Sequence, residues 1–199
     1  MKYLFDPCVT YEYSLDSKLT IRDHILIQIV DVFPGLSPKE IYDISINLYK
    51  ILKENGNISN IPFKRSLGET IDKLEKLEKL HILDDEENKY FLNIDFKKCF
   101  IEEHRNLNIL NRIYILPFDI NLTELKDNLD GTLISQLAKY GFISPIYIIV
   151  HYKSNSISKG IVYYIFDNLK SLVKNGKLIE FEFPKDPKFI IEYNYKKIL

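Results

Sequence analysis

The sequence has no tryptophan, one methionine and only 7 glycines among its 199 residues. It contains neither GxxxxGK[ST] nor GxGxxG, so a glycine-rich loop that cradles phosphate is not predicted. The histidines, like the acids and nucleophiles, are scattered without HxH, HExxH or any other catalytic or metal-binding spacing. We therefore expect no enzyme activity, no metal site and no cofactor.

Cysteines and long apolar runs are also scarce. Cys8 and Cys99 lie far apart without a CxxC, so neither a disulfide framework nor a zinc knuckle is predicted. The longest apolar stretches, Ile25–Val30 and Ile146–Val150, fall well short of the roughly 18 residues that cross a bilayer. The opening MKYLFDPC has an acid and a proline where a signal peptide needs an apolar segment. We expect a cytoplasmic protein that makes no membrane contact.

The composition is that of a folded chain. Apolar residues make up 46% of it, and 14 Tyr and 12 Phe can fill a core. The length allows one large domain or two of roughly ninety residues each. Residues 1–103 hold 14 Lys and Arg against 19 Asp and Glu, whereas residues 104–199 hold 13 against 9. If one half contacts phosphates, we expect the second half to do so.

Helix-start signals divide the first half into three helices. Thr20 is a typical N-cap, and the helix that follows should reach Phe33 before a Pro-Gly pair ends it. Ser37 and Glu40 have the spacing of a capping box around a proline at the first helical position. A third helix should begin near Ser66.

A β-hairpin is predicted directly after the third helix. Two β-favouring runs, His81–Leu83 and Tyr90–Ile94, flank a charged tip that contains four consecutive acids. The order of elements is therefore helix, helix, helix, hairpin.

The second half carries a weaker copy of this pattern. Ser144-Pro145 repeats the earlier Ser-Pro helix start, and a helix from about Lys159 to Asn175 should end at Gly176. Leu178–Phe183 and Phe189–Tyr193 then predict a second hairpin. When the two copies are superposed along the chain, the matched pairs are Asp72 and Asp167, Leu74 and Leu169, Leu77 and Leu172, and Leu83 and Leu178.

This arrangement resembles tandem winged helix-turn-helix proteins, which include archaeal transcription regulators, plasmid replication initiators and partners of chromosome-segregation ATPases. The resemblance implies an α+β, mainly helical fold with two winged-helix modules, each of three helices and a hairpin called the wing. The predicted division is residues 1–103 as an N-terminal module with its arm, 104–121 as a linker and 122–199 as a C-terminal module. The resemblance supplies no catalytic residue.

The first helix is apolar on more than one face, so it must be buried on more than one side. It could lie between the other helices and the N-terminal arm, or it could form a dimer or interdomain interface. The residues predicted for a homodimer interface are Ile25, Leu26, Ile29, Val30 and Phe33.

A helix reads DNA from the face that it does not bury. In the first module that face mixes acids with the bases Arg65, Lys73 and Lys76, and its wing tip is acidic, which favours a protein partner there. In the second module the outward face is polar and its flanks are basic. The residues predicted to contact DNA in this module are Ser156, Ser158, Lys159, Tyr164, Asn168, Ser171, Lys174, Lys185 and Lys188.

The leading hypothesis is therefore a transcription regulator that binds double-stranded DNA through the C-terminal recognition helix and wing. The alternative is a winged-helix module for protein–protein interaction within a replication, segregation or transcription complex.

Overall fold

The computed structural model is an α+β fold, mostly helical, with two small antiparallel sheets. The described residues are Cys8, Tyr11, Leu15 and the ranges 19–58, 66–154 and 159–193.

The N-terminal half opens with three helices, and the predicted caps are present at all three starts. The side chains of Thr20, Ser37 and Ser66 each accept a hydrogen bond from the backbone N–H three residues further on. Thr20 and Ser37 form complete capping boxes, which satisfy N–H groups that a helix end otherwise leaves unpaired. The helices are α1 Ile21–Val32, α2 Pro38–Asn55 and α3 Leu67–Lys79.

The hairpin predicted after α3 is also present. Strand β1, Leu83–Asp85, pairs antiparallel with β2, Tyr90–Leu92. Leu36, in the connection between α1 and α2, bridges to Tyr90 and so docks the hairpin against the helices. The chain then continues helically through residues 94–107, first as a short α-turn, then as a π-helix and finally as a 3-10 helix.

The C-terminal half combines helices with a three-stranded sheet. The predicted Ser-Pro helix start and the helix predicted from about Lys159 are both confirmed, and Gly176 has the positive φ of +69° expected after that helix. The elements are β3 Arg112–Ile115, a 3-10 turn Leu122–Leu125, α4 Gly131–Tyr140, β4 Phe142–Ile143, α5 Pro145–Ser154, α6 Lys159–Lys174, β5 Ile179–Glu182 and α7 Lys188–Ile191.

The second hairpin prediction is wrong. Strand β5 pairs antiparallel with β3, not with Phe189–Tyr193, and most of that segment forms α7. Two prolines interrupt the stretch between β5 and α7, and a proline has no N–H to donate to a sheet. Helix α7 instead packs on α2, where the side-chain amide of Asn47 donates to the carbonyls of Ile190 and Ile191 at 2.9 and 3.0 Å.

The range predicted as a linker, 104–121, is part of the folded core. It contains β3, the central strand of the sheet β4-β3-β5. The side chains of Ile113, Tyr114 and Ile115 are completely buried. Apolar side chains from both predicted modules join one continuous core, so the range does not connect two separate cores.

Helix α1 lies at the centre of this core, so the residues predicted for a homodimer interface are not exposed. Four of these residues in α1, and Phe33 directly after it, are at most 4% exposed, because other elements of the same chain cover them. Helix α5, from the second predicted module, is one of the elements that pack on α1. The covered residues are Ile25, Leu26, Ile29, Val30 and Phe33.

The prediction of no disulfide is also wrong, since Cys8 and Cys99 are bonded. Their Cα atoms lie 5.4 Å apart although 91 positions separate them in sequence. Tyr11 lies close by, with its ring edge against Phe96 and Phe100 and its hydroxyl donating to the carbonyl of His81. The bond therefore joins the N-terminal segment to the π-helix, a proximity that spacing along the chain cannot indicate.

Candidate nucleic-acid interface

The candidate interface is built on α6, the helix that follows α5 along the chain. Because side chains of a helix advance by 100° per residue, one stripe of α6 can face the core while the opposite stripe faces solvent. The predicted inward side chains are indeed buried or half-buried: Val162, Ile165, Phe166, Leu169, Leu172 and Val173.

The exposed stripe of α6 carries several residues that the sequence marks as candidates for DNA contact. Tyr164 is 64% exposed, and Ser171 and Lys174 also face solvent. Lys185 is exposed in the connection between β5 and α7, and Lys188 is exposed as the first residue of α7. Tyrosine and serine hydroxyls and lysine ammonium groups are common donors to phosphates in protein–DNA complexes.

Asn168 is a predicted contact that the fold uses differently. Its side chain is half-buried, and its amide nitrogen donates to the carbonyl of Asn128 at 2.9 Å. This bond holds α6 against the segment that precedes α4. Sequence periodicity places Asn168 near the outward face but cannot reveal that a loop from another part of the chain covers it.

Three predicted contacts, Ser156, Ser158 and Arg65, lie outside the described residues, and for Lys159 only the backbone is described. Sequence reasoning missed Lys170, whose ammonium is exposed on the same stripe, 4.0 Å from the carboxylate of Asp167. The spacing of Asp167, Lys170 and Lys174 could have identified it, since residues three or four apart share a helix face.

The two predicted basic residues of α3 that the structure describes are engaged within the fold. The ammonium groups of Lys73 and Lys76 lie 3.1 and 3.0 Å from the carboxylate of Asp23, which is completely buried. Burial by itself raises the pKa of Asp23, but hydrogen bonds from Thr20 and the two lysines outweigh it and lower the pKa. Both lysines thus compensate a buried charge, a role that their outward position on a helical wheel does not suggest.

An acid-lined groove of ≈ 650 Å³ runs between α3 and the β1–β2 hairpin. Its lining also includes Lys79 and His81. The acids that line it are Glu75, Glu78, Asp84 and Asp85. The pKa of Tyr90, on the groove wall, is raised by burial first and then by three of these carboxylates. Such a groove repels phosphates and attracts cationic groups.

None of the helices formed by the described residues is both long enough and apolar enough to span a lipid bilayer. Within the same part of the chain, no three His, Cys, Asp or Glu side chains are grouped so that they could hold a metal ion. Comparison with protein-family models, curated proteins and solved structures finds no match to this chain.

Proposed function

We propose that this chain is a duplex-DNA-binding protein, a transcription regulator, that inserts α6 into the major groove. The main support for this proposal is the solvent-exposed stripe of α6. It carries Lys170, Lys174, Tyr164 and Ser171, and the opposite, buried stripe is fully apolar. A helix with its side chains is about 10–12 Å across, which matches a major groove about 12 Å wide.

Two further exposed lysines follow β5 along the chain. Lys185 precedes α7, and Lys188 is the first residue of α7. Because β5 pairs with β3, it does not form a hairpin that could act as a wing. In this proposal, the segment that follows β5 makes the phosphate contacts instead. Lysines in such positions contact the DNA backbone and fix the orientation of the helix without reading sequence.

The contrast between α6 and α3 strengthens the choice of α6. Both helices are amphipathic, but Lys73 and Lys76 of α3 lie against Asp23, and four acids line the groove beside α3. A DNA duplex brought to α3 would meet four carboxylates before any base edge.

Fluorescence anisotropy with a labelled mixed-sequence duplex tests the proposal. The wild-type protein should bind with an affinity that falls steeply as salt rises, because each phosphate contact releases counterions. The double variant Lys170→Glu/Lys174→Glu should bind at least about tenfold more weakly, with a salt slope smaller by roughly two.

The matched control is Lys39→Glu/Lys79→Glu, which makes the same charge change at exposed sites on α2 and α3. It should bind DNA within about twofold of the wild type, because these lysines lie away from α6. Equal loss in the two double variants, or no salt-dependent binding by the wild type, would refute the use of α6.

A second candidate function is a protein-interaction module, which the acidic groove between α3 and the hairpin favours. Its partner would be a cationic peptide segment, since four carboxylates line a groove of ≈ 650 Å³. Affinity purification from the native source after nuclease treatment should recover such a partner in stoichiometric amount. The variant Glu78→Lys/Asp84→Lys should lose it while DNA binding is unchanged, and retention of the partner by this variant would exclude the groove.

A further inference from the structure

A cleft of ≈ 530 Å³ opens where the start of α1 meets α4 and α5. Its volume lies within the range of about 300–1,000 Å³ that is typical of small-molecule sites. It lies between the regions that the sequence assigns to different modules, so no local pattern predicts it. The lining residues are Leu19, Thr20, Ile21, His24, Gly131, Thr132, Ser135, Gln136, Lys139, Tyr140 and Tyr147.

Two polar side chains in this lining are almost completely buried. His24 is 4% exposed and Gln136 is 5% exposed. The Nδ1 atom of His24 and the Oε1 atom of Gln136 have no hydrogen-bond partner among the described residues. A buried polar atom without a partner costs roughly 1–3 kcal/mol, so such atoms normally have a role.

Gln28 provides an internal comparison. It is also buried, yet its amide nitrogen donates to two carbonyls and its oxygen accepts from Ser144. The fold therefore satisfies one buried glutamine completely and leaves the oxygen of Gln136 unpaired beside a cleft. The described residues thus supply every partner of Gln28 but none for the oxygen of Gln136.

The walls of the cleft combine aromatic rings, hydroxyls and one cation. Tyr147 packs against His24 with ring centroids 5.4 Å apart, and the ammonium of Lys139 lies 5.1 Å from the ring centroid of Tyr140. Burial lowers the pKa of His24 to about 4, so its imidazole is neutral near pH 7 and offers one donor and one acceptor. Thr132 and Ser135 add hydroxyl groups at intermediate depth and at the rim.

The arrangement on α4 follows from helical spacing. Residues four apart lie on one face of a helix, and the lining of the cleft repeats at that interval. The two rows are Gly131, Ser135 and Lys139, and Thr132, Gln136 and Tyr140. One helix face thus contributes a buried glutamine, two hydroxyl groups and a lysine to the lining of the cleft.

We propose that this cleft binds a small planar ring that bears both a hydrogen-bond donor and an anionic group. The ring packs against Tyr140 and Tyr147, its N–H or O–H donates to Gln136, and the anion lies near Lys139. Aromatic stacking and a charge-assisted contact fix the orientation, and the buried acceptor selects ligands that carry a donor. Aromatic carboxylates and nucleoside monophosphates both have this chemistry. The proposal is independent of DNA binding.

Isothermal titration calorimetry with two probes, 4-aminobenzoate and guanosine monophosphate, tests the site. It also distinguishes the two ligand classes, aromatic carboxylates and nucleoside monophosphates. We expect one probe to bind the wild-type protein saturably with one site per chain. The variant Gln136→Leu should lower its affinity about tenfold, since it removes a buried hydrogen bond to the ligand. Ser171→Ala, on the exposed stripe of α6, should leave the affinity unchanged.

Thermal unfolding without ligand separates a binding role of Gln136 from a structural one. Because the Gln136→Leu change removes an unpaired buried oxygen, the variant should melt at the same temperature as the wild type or higher. The site is supported if Gln136→Leu binds the probe more weakly than the wild type but melts at the same temperature or higher. Failure of both probes to bind, or equal binding by wild type and variant, overturns it.

Discussion

Ser144 donates a hydrogen bond of 2.9 Å to the side-chain oxygen of Gln28, and both residues are completely buried. The amide nitrogen of Gln28 donates in turn to the carbonyls of Leu110 and Arg112, at 2.9 and 2.6 Å. A single side chain of α1 therefore joins the chain before β3 to the start of α5. This bond network holds β3 and α5 of the second half against α1 of the first half.

The first prediction concerns this network. Gln28→Leu would leave two carbonyls and one hydroxyl without partners in the core, and we expect the free energy of unfolding to fall by about 2–5 kcal/mol. Urea denaturation followed by circular dichroism measures the change. The matched control is Gln136→Leu, which should shift the unfolding free energy by less than about 1 kcal/mol or raise it. Equal losses in the two variants would contradict the contrast between these glutamines.

The second prediction concerns the bond between Cys8 and Cys99, the two cysteines of the chain. A cross-link that closes a loop of this length restricts the unfolded chain, and its loss should lower stability by about 2–5 kcal/mol. The melting temperature should therefore fall when dithiothreitol is added. The double variant Cys8→Ser/Cys99→Ser should match the reduced protein and show no response to the reductant. An identical melting temperature with and without dithiothreitol would show that the bond contributes nothing.

The third prediction is a pH dependence that originates at His24. Its pKa falls from 6.5 to about 4 on folding because burial disfavours the charged form. Four groups face His24. The charge of Asp23 raises the pKa of His24, whereas those of His151 and Lys76 lower it further. The fourth group is the ring of Tyr147. Between these two pKa values, His24 therefore binds a proton in the unfolded chain but not in the folded chain.

The free energy of unfolding therefore falls as the pH falls through this range. The contribution of His24 is fully present above pH 6.5 and is lost as the pH falls toward 4, by about 2–4 kcal/mol in total. His24→Phe keeps a ring of similar size but does not titrate, so its unfolding free energy should vary less across this window. Chemical denaturation at several pH values measures the slope. A His24→Phe variant that keeps the wild-type slope would assign the effect to another group.

The fourth prediction concerns Gly141, which ends α4 with a φ of +81°. A Cβ atom at this position would lie 2.1 Å from the carbonyl oxygen of Asn57, closer than backbone atoms tolerate. Gly141→Ala should therefore destabilise the fold by more than about 2 kcal/mol, through strain at positive φ and a backbone clash. The control is Gly68→Ala in α3, where the nearest atom lies 3.7 Å away. Alanine there should be neutral or stabilise by up to about 1 kcal/mol, and thermal unfolding of both variants provides the comparison.

Local chemistry explains why much of the secondary structure is predictable. Thr20, Ser37 and Ser66 start helices because a side-chain oxygen within three residues satisfies a free backbone N–H. Gly176 ends α6 because glycine adopts positive φ without strain. The buried stripe of α6 follows from helical spacing alone. All of these interactions act within a few residues of chain.

Sequence alone thus determined an α+β, mainly helical chain, the starts of α1, α2, α3 and α5, the end of α6, the first hairpin and the buried face of α6. Tertiary structure decided that β5 pairs with β3, that Cys8 meets Cys99, that Lys73 and Lys76 surround Asp23, and that a cleft opens over His24 and Gln136. The physical reason is that these pairs form between segments distant along the chain. Their partners depend on how the whole core packs, and no spacing in the sequence records that.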